Sequence, residues 1–110
     1  MEYTKVKIVT FVPTENTDEV RMALGEAGAG KIGEYTFCSF STPGKGRFTP
    51  GRSSNPHIGK KNQHEIVEEE RIEVVCDRNN AKNVIQALKI AHPYEEVAYD
   101  IIPLLTEDQL

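Results

Sequence analysis

A strand pattern, a helix pattern and a second strand pattern follow one another twice along this chain, and that repeated order restricts its fold more than any other feature. The first unit opens with the β-branched stretch KVKIVTFV from Lys5 to Val12, which Pro13 ends. Apolar residues then recur with the spacing of one helix face, at Val20, Ala23, Leu24 and Ala27. The second unit closes with the strand pattern VAYDIIPL. The sequence therefore predicts two β-α-β units in succession.

The predicted elements define the fold class. Alternating side chains predict four strands, at Lys5–Val12, Glu34–Ser41, Glu70–Asp77 and Val97–Leu104. The first predicted helix runs to about Ala27, and the second follows a cap at Asp77, Asn79 or Asn80 and stops before Pro93. This β-α-β-β-α-β order predicts an α+β, ferredoxin-like split βαβ fold. It has a four-stranded antiparallel sheet, two helices on one face and a long loop between strands 2 and 3.

Two helices cover only one face of such a sheet, so apolar residues on the other face need another partner. We expect Val9, Phe11, Phe37 and Tyr99 to lie on the uncovered face. Contact with a second copy of the chain would remove them from water. The pattern therefore predicts a homo-oligomer.

Length, charge and cysteine content narrow the class of protein. The 110 residues fit a single domain spanning 1–110. Cys38 and Cys76 lie on predicted strands without the spacing of a zinc or redox site, so we expect buried, reduced thiols. No stretch approaches the ~20 apolar residues of a membrane span and no signal region is visible, which predicts a cytoplasmic protein with no membrane partner. The net charge of −4 argues against a nucleic-acid partner.

The segment from Tyr35 to His64 is basic. It contains no acidic residue and five basic ones, which are Lys45, Arg47, Arg52, Lys60 and Lys61. Its stretch TPGKGRFTPGRSSNPHIGKK exposes backbone N–H groups beside positive charge, which suits a small anion, but P-loop and dinucleotide-binding spacings are absent. Three interpretations stay open. Lys45, Arg47, Lys60 and Lys61 bind a small anion, Phe48 and Ile58 contact another subunit or protein, or the segment is a solvated loop.

A second unusual stretch, AHPYEEVAYDIIPL, gathers His92, Tyr94, Glu95 and Glu96 between the second helix and the last strand. A histidine beside two carboxylates can bind a ligand or a metal, or do acid-base work. Alternatively, His92 binds carbonyl groups at the end of the helix and Tyr94 packs over the turn. No nucleophile and base are visible together, so no catalytic residue and no metal ligand is assigned. The sequence leaves the other roles open.

Both segments resemble the inserted domain of the Nif-three-like (YqfO) family, as it occurs in proteins made of that domain alone. The matching stretches are GAGKIGEYTFCSFSTPGKGRFTP, NPHIG, ERIEVVC and AHPYEEVAYDIIPL. The turn HPYE is also similar to that of CutA-like proteins, which share with PII signalling proteins a ferredoxin-like subunit that forms trimers. The resemblance implies a PII/CutA-like domain, and a trimer is one assembly it implies. Full-length members place the domain beside a larger metal-binding body, whose ligands have no counterpart here. The di-metal hydrolase activity therefore does not transfer.

These observations predict a homo-oligomeric binding or regulatory module rather than an enzyme. An anionic metabolite would order the basic segment and so alter a surface offered to a partner protein that the sequence does not identify. The alternative is a metal-dependent small-molecule hydrolase that uses His92, Glu95 and Glu96. The sequence identifies no cofactor.

Overall fold

The computed structural model describes residues 2–110 and contains one four-stranded antiparallel sheet and two α-helices. The strands are β1 Lys5–Pro13, β2 Phe40–Phe48, β3 Glu65–Asp77 and β4 Tyr99–Leu104, and the helices are α1 Thr17–Glu26 and α2 Ala81–Ala91. The 3₁₀ turns Thr14–Asn16 and Arg78–Asn80 lead into the helices, and a third, Glu107–Gln109, follows β4. The strand order β2-β3-β1-β4 confirms the predicted split βαβ fold of the α+β class.

The core lies between the two helices and one face of the sheet. Ile8 of β1 and Ile72 of β3 point into it from the sheet, while Leu24 of α1 and Leu88 of α2 meet them from the helices. All four are fully buried. The alternation of the strands and the 3.6-residue period of the helices thus converge on one apolar layer.

The predicted position of the second strand is wrong. Strand β2 runs from Phe40 to Phe48, and its Pro43, Lys45 and Arg47 belong to the segment that the sequence had suggested was a loop. Its partner β3 is longer than predicted because it begins at Glu65. The pairing runs from Phe40 opposite Glu73 to Phe48 opposite Glu65. Register against the long β3 strand therefore outweighs the local strand preference of residues 34–39.

Residues 27–39 instead form a compact connector. The Gly30 N–H donates to Val75 O at 2.7 Å, and the Cys38 N–H donates to Gly30 O at 2.9 Å. Gly30 has φ +83°, and a Cβ there would overlap the backbone of Cys38. Cys38 is therefore partly exposed in the connector rather than on a strand, whereas Cys76 is buried on β3 as predicted.

The uncovered face of the sheet differs from expectation. Val9 and Phe11 do lie on it, but Val9 is fully buried within the single chain, with Glu73 and Asp100 opposite it in the neighbouring strands. Phe37 has a positive φ of 58° and packs over Gly25 of α1. Tyr99 pairs with Thr10 and packs against the core on the helix side. The face is therefore less apolar than the sequence indicated.

Strands β2 and β3 continue beyond the rest of the sheet. The last β1 pair is Pro13 with Glu69, whereas the β2–β3 ladder extends four pairs further, to Phe48 with Glu65. The resulting two-stranded arm contributes to overall extents of 48 × 28 × 22 Å. Within residues 2–110, neither helix is long and apolar enough to cross a membrane.

Candidate functional site

A cleft of about 720 Å³ opens on the uncovered face of the sheet, beside the base of the arm. Phe11, Glu69 and Arg71 reach it from β1 and β3, which pair in this region. The loop 49–58 forms one wall and the turn 94–96 forms another. The basic segment and the HPYE turn, about 40 residues apart in sequence, therefore meet in one site.

Two glycines of β2 form a side-chain-free strip in the cleft. Gly44 lies opposite Glu69 in the ladder, and a Cβ at Gly44 would meet no atom within 4 Å. A Cβ at Gly46 would instead overlap the Glu69 carboxylate. Gly46 thus allows the Glu69 side chain to lie across the neighbouring strand, while Gly44 leaves space for a ligand.

Tyr94 connects the parts of the cleft. Its hydroxyl donates to Glu69 Oε2 at 3.1 Å. Its ring lies 5.9 Å from that of Phe48, edge to face, and 6.3 Å from that of His57. Burial and then the nearby Glu69 charge raise the pKa of Tyr94, so the phenol keeps its proton and remains a donor.

His92 lies behind the cleft and has a structural role. Its Nε2 is 2.7 Å from Phe11 O, and the Tyr94 N–H donates to its Nδ1 at 3.1 Å. These partners require a proton on Nε2 and none on Nδ1, which is the neutral ring. Burial lowers the pKa of His92, in agreement with that form. The structure therefore shows a carbonyl partner on β1, where the sequence had suggested carbonyls at the end of α2.

The loop 49–64 is held to the turn by Glu95. Its Oε1 accepts a hydrogen bond from the Asn55 N–H at 2.7 Å. The adjacent Glu96 lines the same cleft and is exposed. One carboxylate fixes the loop while its neighbour faces the cleft.

The floor continues into a charged group on the uncovered face. Glu73 accepts from Lys7 Nζ at 3.0 Å and from Arg71 Nε at 3.2 Å. The hydrogen bond from Lys7 and then the contact with Arg71 lower the pKa of Glu73. The Arg71 guanidinium also lies 5.9 Å from the Phe11 ring centroid. Arg71 also lines the cleft.

The structure divides the predicted site residues into three groups. Lys45, Arg47, Tyr94, Glu95 and Glu96 border the cleft. Lys45 and Arg47, however, alternate along β2 with Gly44, Gly46 and Phe48, so their side chains point to the other face of the arm, where Lys45 pairs with Glu68. Lys60 and Lys61 are exposed outside the cleft, and His92 supports it from behind. Among the charged side chains on the cleft's own face, Arg71 is outnumbered by Glu69, Glu95 and Glu96. The site is therefore not the basic site that the sequence had suggested.

Sequence reasoning missed Phe11, Glu69 and Arg71 as cleft residues. Phe11 was expected on this face of the sheet, whereas Arg71 lay within the predicted third strand without a functional role. Glu69 was missed because it lies before the predicted start of that strand, and β3 in fact begins at Glu65. Among residues 2–110, no group of three or more His, Cys, Asp or Glu side chains is placed to hold a metal ion.

No protein-family model matches the sequence. A protein of Halalkalibacterium halodurans named GTP cyclohydrolase 1 type 2 homolog is 48% identical over 103 residues, which are 94% of this chain and 28% of that protein. The structure of a Bacillus cereus protein related to NIF3 superposes with a TM-score of 0.81 at 47% identity, over 93% of this chain and 26% of the other.

The chain corresponds to a small domain of Nif-three-like proteins. It spans about a quarter of the length of these relatives. The periplasmic divalent cation tolerance protein CutA of Archaeoglobus fulgidus superposes with a TM-score of 0.67 at 19% identity, over 91% of this chain and 83% of CutA. That similarity shows that the Nif-three-like domain has a CutA-like fold.

Proposed function

We propose that this Nif-three-like domain is a homo-oligomeric binding module whose cleft holds a small molecule with an anionic group. The observation that carries the proposal is the meeting of the basic segment and the HPYE turn around one cleft of about 720 Å³. Ligand sites are typically concave and apolar, with a few polar groups that fix orientation. The rings of Phe11, Phe48 and Tyr94 supply the apolar part, and Arg71 supplies the positive charge.

The proposed ligand has a ring system rather than being a bare anion. Glu69, Glu95 and Glu96 outnumber Arg71 among the charged side chains of the cleft, so a simple anion gains little from their summed charge. An anionic group near Arg71 with the rest of the molecule against the rings uses both features. Because relatives of this domain are named homologs of a GTP cyclohydrolase, purine nucleotides are the first ligands to test.

A regulatory role follows from the way the loop is attached. The loop 49–64 meets the turn through the Asn55–Glu95 hydrogen bond and the His57–Tyr94 ring contact. A ligand in the cleft would add contacts to this loop and shift it towards one conformation. The outer surface of the loop, with Lys60 and Lys61, would then be the part offered to a partner protein.

Self-association is supported by the apolar side chains at the edge of the sheet. Ile101, Ile102 and Leu105 are each about half exposed on or just after the edge strand β4. An edge strand also presents unpaired backbone groups that a second copy can use. A homo-oligomer, including the trimer implied by the resemblance, would cover this edge.

The proposal also covers the domain organisation of the chain and its cellular compartment. A continuous core between helices and sheet supports residues 1–110 as one domain. The free thiols of Cys38 and Cys76 fit a reducing compartment such as the cytoplasm. No observation favours the metal-dependent hydrolase, since both ring nitrogens of His92 have partners within the fold.

Calorimetric titration of the full chain with AMP, GMP, IMP and inorganic phosphate tests the binding function. We expect the nucleotides to bind and Arg71→Ala to weaken them about tenfold, the usual effect of losing one charge-assisted contact. Lys61→Ala is the matched control, because it removes the same charge outside the cleft. Absence of nucleotide binding, or equal losses in both variants, would contradict the proposed site.

A further inference from the structure

Glu69 is a buried carboxylate at the cleft with one oxygen unused. Only 8% of the residue is exposed, although it lines the cleft. Its Oε2 accepts the Tyr94 hydroxyl, whereas Oε1, which lies against Gly46, accepts none of the side-chain hydrogen bonds found within residues 2–110. The nearest salt bridges of the arm and the uncovered face use Glu68 and Glu73 instead. Oε1 can therefore accept a hydrogen bond from a ligand in the cleft.

The surroundings of Glu69 favour a flat ligand. The glycines of β2 leave no side chain above the strand at Gly44, and the aromatic rings of Phe48 and Tyr94 stand beside it. A planar heterocycle can stack on such rings and present its edge to a carboxylate in the same plane. A carboxylate accepts hydrogen bonds and donates none, so that edge must carry N–H groups.

We infer that Glu69 selects ligands whose heterocycle donates N–H groups at its edge, as the amino and imino groups of guanine do. The inference rests on the proposed function and specifies its ligand class. Tyr94 is a positioning residue, because its hydroxyl holds Oε2 and leaves Oε1 for the ligand. The anionic group of the ligand then points towards Arg71, at the same cleft.

GMP and IMP test the inference in the wild-type chain, because they differ only in the exocyclic amino group. We expect calorimetry to show that GMP binds about tenfold more tightly than IMP, as one hydrogen bond to a charged acceptor predicts. Glu69→Gln should reduce GMP binding to about the level of IMP. Glu70→Gln is the matched control, since it removes a carboxylate one position away on β3 that does not line the cleft. Amide NMR spectra establish that both variants remain folded.

The possible outcomes distinguish the proposed binding function from the proposed role of Glu69. Equal affinity for GMP, IMP and AMP would leave the binding function intact and overturn the role of Glu69. A preference for GMP that survives in Glu69→Gln would overturn it as well. If none of the nucleotides binds, the proposed function fails and the inference fails with it. Equal affinity for the three nucleotides in the wild-type chain would overturn the role of Glu69 even if Glu69→Gln does not fold.

Discussion

The carboxylate of Glu69 lies across Gly46 of the neighbouring strand, so closely that a Cβ at position 46 would overlap it. This relationship explains why the edge strand β2 contains glycine at that point, although glycine weakens a strand. It also places Glu69 where the Tyr94 hydroxyl reaches Oε2. The absence of a side chain at Gly46 therefore leaves the space that Glu69 needs to accept the Tyr94 hydroxyl.

Gly46→Ala should destabilise the chain by about 1–3 kcal/mol, the usual cost of forcing an extra carbon into an occupied site. Urea unfolding followed by circular dichroism measures the free energy. The matched control is Gly44→Ala, two residues away on the same strand face, where a Cβ meets nothing within 4 Å. Similar losses in both variants would show that the Glu69 carboxylate moves aside freely.

Glu95→Ala should release the loop 49–64 from the turn. The Asn55 N–H loses its acceptor, so its hydrogen exchange should quicken by about fivefold, equivalent to about 1 kcal/mol. Exchange detected by NMR resolves this single amide. In Glu96→Ala, where the removed carboxylate is exposed and accepts no hydrogen bond within residues 2–110, the rate should stay near that of the wild type. An unchanged rate in Glu95→Ala would argue against the attachment.

His92 should make stability depend on pH below its ordinary pKa of 6.5. Its pKa is lowered in the folded state, so the unfolded chain takes up a proton first as the pH falls. The stabilisation is complete above pH 6.5 and is lost as the pH falls from there towards the lower folded-state value. An NMR titration should place His92 below 6.5, and unfolding curves should lose part of this slope in His92→Gln. A His92 pKa at or above 6.5 would contradict a neutral ring with a hydrogen-bond partner on each nitrogen.

The Glu73 carboxylate should make stability depend on pH in a more acidic range than His92 does. Hydrogen bonds from Lys7 and Arg71 lower the pKa of Glu73 from 4.5, so its stabilisation is present above pH 4.5 and is lost as the pH falls through the folded-state value. Lys7→Met removes the partner that lowers the pKa of Glu73 most, so it should reduce the loss of stability in this acid range. The change measured near neutral pH should be small, because the pair is partly exposed. The same acid slope in both proteins would contradict the assignment.

Replacement of Ile101 and Ile102 by lysine should shift the chain towards monomers if the β4 edge joins subunits. Light scattering measures the native mass before and after the change. Ile90→Lys is the control, because Ile90 is 85% exposed and lies on α2 rather than on β4. A wild-type monomer, or an assembly unaffected by the edge substitutions, would contradict self-association through β4.

The amino-acid order by itself determined the class of fold. Two apolar helix faces and three of the four strand patterns were visible locally, because burial imposes a 3.6-residue period on helices and a two-residue period on strands. The second helix begins and ends where the sequence predicts, at Ala81 and Ala91. Strand β2 was misplaced, since its residues contain glycines, a proline and charges that locally resemble a loop.

Only the tertiary structure decided the composition of the site. Pairing with β3 turned the middle of the basic segment into a strand, and this brought Gly46 under Glu69 and the loop against Tyr94. It also left Lys60 and Lys61 outside the cleft and placed Arg71 within it. Which charges share a cleft depends on strand register between distant parts of the chain, and a shift of one residue moves every side chain to the other face. Local sequence pattern contains the strand preference but not that register.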